Sequence, residues 1–114
     1  PRTLTRDFPL DEFPAFVRAG AIVPMNVRRA YTGFGDPSSE GFLTLLVVPG
    51  ADGESVYYDP TDPEKRTDIA LTQSADALEI AIAGAPVTPI LRIAADAPPQ
   101  SVTRNGADLP QSQW

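Results

Sequence analysis

Two stretches of this chain alternate strictly between apolar and polar or small residues, and a third is apolar without a break. Ile69 and Leu71, then Leu78, Ile80 and Ile82, predict two half-buried strands around a turn at Gln73 to Asp76. Phe42 to Val48 (FLTLLVV) is apolar on both faces, which predicts a central, covered strand. Phe16 to Val23 also reads as a covered strand. Val17, Ala19, Ala21 and Val23 lie on one face, and Phe16, Arg18, Gly20 and Ile22 on the other. Gly20 inside it predicts a bulge or a close approach by another backbone.

The remaining punctuation fits short strands. Pro49 to Glu54 reads as a hairpin connection, with Ser55 to Asp59 returning and Pro60 to Arg66 as a polar turn. Ile90 to Ala94 is a further strand, and Val102 to Leu109 folds around Asn105-Gly106, a strong two-residue hairpin signal. Pro9 to Phe13 suits a single helical turn, since proline fits the first position and carboxylates the positive end. Met25 to Glu40 shows no period and reads as a long connection. The expected fold class is all-β, an antiparallel β-sandwich of seven to nine short strands.

Composition narrows the chemistry. Thirteen prolines disfavour long helices. There is no cysteine, which excludes disulfides and Cys-based zinc sites and leaves the redox compartment open. There is no histidine either, which removes the Ser-His-Asp triad and the commonest general base. A net charge of −6, nine basic against fifteen acidic residues, argues against nucleic acid and anionic membrane surfaces as partners. No apolar run approaches the ~20 residues of a membrane-spanning helix. The chain starts at Pro1 without an initiator methionine or a signal-peptide pattern, and reads as a piece of a longer protein.

Each candidate for chemistry has a plain structural reading beside it. Asp11/Glu12, Asp36/Glu40 and Asp59/Asp62/Glu64 are carboxylate groupings of the kind glycoside chemistry uses, but all lie in turns beside proline or glycine, where Asp is favoured locally. Asp59 to Glu64 offers oxygens to calcium, yet lacks the glycine and spacing of an EF-hand. Tyr31, Phe34, Tyr57, Tyr58 and Trp114 are candidates for a sugar-stacking platform, although Tyr57 and Tyr58 must face opposite sides of a strand. Arg28-Arg29 is too short for a basic patch. Arg18 is either a clamp for a carboxylate or sugar hydroxyl, or a covered ion paired with Asp11 or Glu12. The second reading is favoured, and on it the loss of Arg18 costs ~3–5 kcal/mol. Arg18, Asp11 and Gly20 are thus expected as structural residues, with no catalytic residue, metal ligand or cofactor contact assigned.

Pro9, Leu10, Asp11, Pro14, Phe16, Val17, Arg18, Gly20, Ile22 and Pro24 fall in the order P-L-D-x-I-P-x-F-V-R-x-G-x-I-I-P. This resembles the segment that follows the catalytic barrel in glycoside hydrolase family 31, the α-glucosidase and α-xylosidase family. Leu43-Thr44-Leu45, Val47-Val48-Pro49, Gly53 and Tyr58-Asp59 are similar to that family's strand, turn and Tyr-x-Asp-Asp-Gly hairpin. The sequence departs there, because Pro60-Thr61-Asp62 follows Asp59. Val102 to Gly106 looks like the family's closing V-x-V-N-G hairpin. The resemblance implies a non-catalytic C-terminal region, with residues 1–40 ending a barrel-proximal β-domain and 41–114 forming sandwich strands that pack with 8–40 or alone. It implies a parent that hydrolyses α-glycosidic bonds with retention. Its catalytic aspartates lie upstream, and its barrel and carbohydrate substrate are the expected partners. A carbohydrate-binding module and a structural or oligomerisation domain are the rival readings.

Overall fold

The structure is a computed structural model and describes residues 3, 5–7, 9, 11, 15–25, 41–60, 62–84 and 88–113. Eight strands are formed among them: β1 (Ile22–Met25), β2 (Phe42–Val47), β3 (Gly53–Asp59), β4 (Asp62–Gln73), β5 (Leu78–Ala83), β6 (Thr88–Ile93), β7 (Thr103–Arg104) and β8 (Ala107–Asp108). They make one sheet in the order β1-β2-β6, a second in the order β3-β4-β5, and the short hairpin β7-β8. A 3-10 turn at Gln111–Gln113 follows.

Period-two alternation decides which residues meet between the sheets. Along β2, Leu43, Leu45 and Val47 point one way and are buried; along β4, Ile69 and Leu71 do the same. With Ile22 of β1 they form one cluster, against which Tyr57, Leu78, Ile80 and Ile82 pack. The core is therefore shared by both sheets, which makes the architecture an all-β sandwich. Thr44, on the opposite face of β2, is also fully buried, in keeping with the apolar run on both faces of that strand.

The β4–β5 hairpin and the Asn105-Gly106 hairpin fall where the sequence places them. At the latter, Asn105 and Gly106 have φ of 52° and 79°, the positive pair that a type I′ turn requires.

Three expectations are corrected. The strand expected over 16–23 begins only at Ile22, because residues 18–21 form a turn closed by the Ala21 N–H donating to the Arg18 carbonyl at 3.2 Å. Gly20 occupies its third position with φ 79°, as a type II turn demands. β3 does not return along β2; it crosses to the second sheet and pairs with β4. The polar turn expected over 60–66 is mostly strand, since β4 already starts at Asp62. Register explains how proline is accommodated there. Tyr58 pairs with Arg66 but Asp59 with Asp62, so Pro63, Glu64 and Lys65 are inserted residues of a bulge. One pairing also departs from the antiparallel rule: β2 and β6 run parallel. The helical turn expected at Pro9–Phe13 and the connection expected over 25–40 lie largely outside the described residues.

Candidate functional site

The segment around Gly20 is a crossing point of two backbones. The Gly20 N–H donates to the Val48 carbonyl at 2.8 Å, and the Val48 N–H to the Ala21 carbonyl at 2.9 Å. This carries the β1–β2 ladder one step past the strand end. From the other side the loop after β2 presses in: a Cβ on Gly20 would lie 2.5 Å from the Asp52 carbonyl oxygen, and one on Gly53 would collide with the Gly20 carbonyl. Asp52 also holds the second sheet, since its Oδ1 accepts the Gln73 N–H at 2.7 Å. Gln73 Oε1 accepts the Gly50 N–H at 3.3 Å. Two glycines and one aspartate thus pin the β2–β3 corner between the sheets.

Arg18, at the head of this turn, is exposed, as is Asp11. Of the two acids expected as partners for Arg18, Asp11 is exposed like the arginine itself, and Glu12 lies outside the described residues. Phe16 and Val17 are carried outward with Arg18, at 74% and 52% exposure. Glu12, Arg28, Arg29, Tyr31, Phe34, Asp36, Glu40 and Trp114 lie outside the described residues.

The Asp62 carboxylate, after β3, is held by local contacts. Asp62 Oδ1 accepts the Glu64 N–H at 3.3 Å, and its Oδ2 pairs with Lys65 Nζ at 3.2 Å. Among the described residues, no three acidic side chains gather as metal ligands.

Tyr57 and Tyr58 do face opposite sides. Tyr57 points inward and is half-buried, and its hydroxyl is held above the usual tyrosine range by desolvation first and by the nearby Asp59 charge second. Tyr58 points outward and is 56% exposed. On its face of the second sheet lies a shallow groove of about 400 Å³, floored by Ala70, Ala81 and Ala83 and bounded by Glu54, Val56 and Asp68. Arg66, paired with Tyr58 across the strands, donates Nε to Asp68 Oδ1 at 2.8 Å, with Nη2 closer still to the same oxygen. That hydrogen bond, together with the Asp68 charge, raises the Arg66 pKa further.

Sequence reasoning missed this face because it placed Arg66 in a turn. The available signal was the period of two: Arg66, Asp68, Ala70 and Thr72 interleave with the inward Thr67, Ile69 and Leu71. The groove's lining offers the polar groups of Glu54, Ser55, Arg66 and Asp68 beside apolar Val56, Ala70 and Ala81. No family model matches this chain, and neither a curated protein nor a solved structure matches it.

Proposed function

We propose that this chain is the non-catalytic C-terminal β-sandwich region of a family 31 glycoside hydrolase, supporting the enzyme's catalytic barrel. The observation that carries the reading is the ordered similarity from Pro9 to Pro24, anchored by Arg18 and Gly20. The all-β architecture supports it. So does the exposure of Phe16 and Val17 within that stretch, because large apolar side chains in water are a surface prepared for a neighbour. On this reading the neighbour is the barrel, which supplies the carboxylate nucleophile and the acid/base and binds the α-glycoside. The chain lacks histidine, and the Asp62 carboxylate is engaged by the Glu64 N–H and by Lys65.

The coding sequence upstream of Pro1 is the direct test. A barrel carrying the family's catalytic aspartates is expected there, and its absence defeats the reading. The isolated chain should give no turnover of aryl α-glucosides or α-xylosides, and clear turnover would refute it equally. The exposed Tyr58 beside the groove favours a polysaccharide-binding module as the second reading. Retardation in a starch, dextran or xyloglucan gel that is lost in Tyr58→Ala would establish that alternative instead.

A further inference from the structure

We infer that the free edge of β6 pairs with β6 of a second copy of this chain, in one register, to make a continuous six-stranded sheet across a two-fold axis. The first step is which backbone groups are free. β6 lies at the end of the order β1-β2-β6. The Thr88 N–H donates to the Gly41 carbonyl and the Ala94 N–H to the Val47 carbonyl, so the even-numbered residues of β6 face β2. Pro89, Leu91 and Ile93 therefore turn their backbone groups outward. Proline has no N–H to offer, and the Ile93 carbonyl already accepts the Ala95 N–H at 3.0 Å. That leaves the Leu91 N–H and C=O, the Ile93 N–H and the Pro89 C=O.

An antiparallel pairing centred on Leu91 uses this set completely. Leu91 faces its counterpart in the second copy and exchanges two hydrogen bonds with it. Each Ile93 faces a Pro89 and donates its N–H to that carbonyl. The bond that a regular ladder would add, from residue 89 to the oxygen of residue 93, is missing its donor and has its acceptor already engaged. The two irregularities coincide, so neither leaves an unpaired group. Shifting the centre to Ile90 sets Leu91 opposite Pro89, which has no N–H to give, and wastes the Leu91 carbonyl. Shifting it to Arg92 sends the Leu91 N–H to the occupied Ile93 carbonyl and sets two like charges directly opposite, which is unfavourable. In the Leu91 register Arg92 faces Ile90 instead.

The side chains agree with the backbone. Leu91 and Ile93 share the face of Leu45 and Val47, yet are 43% and 46% exposed where their neighbours are fully buried. A second copy brings its own Leu91, Ile93 and Pro89 alongside, extending the apolar face across the axis. Symmetric, self-complementary contact is the commonest form of protein association, and a free edge strand is a ready template for it. A strip of six residues covers less than the ~1,200–2,000 Å² of a standard interface, so the association is weak and visible only at high protein concentration.

Sedimentation equilibrium of the 114-residue chain over ~1 µM to ~1 mM should show a mass rising from one to two chains. Leu91→Pro removes the central donor without touching the β2 ladder, and should abolish the dimer while leaving the circular dichroism spectrum unchanged. The chain has no cysteine, so single cysteines report the register. Leu91→Cys sits on the axis with Cα atoms ~5.5 Å apart, within disulfide reach, and should cross-link on mild oxidation. Ile93→Cys lies ~13 Å from its counterpart and should not. A single-chain mass throughout the range, a dimer that survives Leu91→Pro, or Ile93→Cys cross-linking as fast as Leu91→Cys would each overturn the proposal.

Discussion

Among the described residues, Thr67 has a buried polar atom left without a partner. It is 1% exposed, sits opposite Tyr57 in the β3–β4 ladder, and its Oγ1 has no hydrogen-bond partner. A buried hydroxyl left unpaired costs ~1–3 kcal/mol. Valine has nearly the same shape and the same branched preference for strands. Thr67→Val should therefore stabilise the chain by ~1–2 kcal/mol, seen as a higher urea midpoint with an unchanged slope; a lower midpoint would mean that the hydroxyl is bonded after all. Nothing local announces this residue, because threonine is at home in exposed and buried strands alike. Arg18 shows the opposite limit. Its apolar neighbours argue for cover, but the strand starts only at Ile22, past the turn at Gly20, and Phe16, Val17 and Arg18 are exposed. Tyr57 and Tyr58 were legible because adjacent residues of a strand cannot share a face.

At the scale of elements, the corner between the sheets rests on Gly20. An alanine there meets two penalties: ~1–2 kcal/mol for the left-handed backbone, and the overlap of its Cβ with the Asp52 carbonyl 2.5 Å away. Gly106 has the same φ of 79° but nothing within 4 Å of a built Cβ, so Gly106→Ala carries only the first. Gly20→Ala should be less stable than Gly106→Ala by a further ~1–3 kcal/mol, the usual cost of overpacking. Urea unfolding of both variants measures the difference, and equal losses would show that the β2–β3 corner yields without resistance. Turn chemistry made part of this readable in advance. Asn105-Gly106 specifies a hairpin by itself, and glycine inside an apolar stretch points to a backbone passing close. The start of β4 was not readable, because Pro63 looks like a strand breaker until the register slip places it in a bulge.

For the whole molecule, alternation and turn spacing were enough to give an all-β sandwich. The choice of neighbours was not legible: β3 leaves β2 for the other sheet, and β6 joins β2 in parallel. Such pairings are fixed by which apolar faces close on each other across many residues, not by the local pattern of either strand. Their consequence is a core built jointly from Ile22, Leu43, Leu45, Val47, Ile69 and Leu71. Leu45 is its middle, fully buried, with Pro24 on one flank and Leu91 on the other. Neither sheet has a second apolar cluster of buried residues to fall back on among the described residues. Leu45→Ala should cost ~2–5 kcal/mol, a large part of the ~5–15 kcal/mol that holds a domain of this size together. Because both sheets lean on the same side chains, they should be lost together. Far-ultraviolet dichroism, which follows the strands, and the near-ultraviolet signal of the tyrosines and other aromatic side chains, which follows packing, should trace one transition in the parent and in the variant. A variant in which the aromatic signal collapses while strand content persists would show that each sheet stands without the other, and the shared core would not be what stabilises the fold.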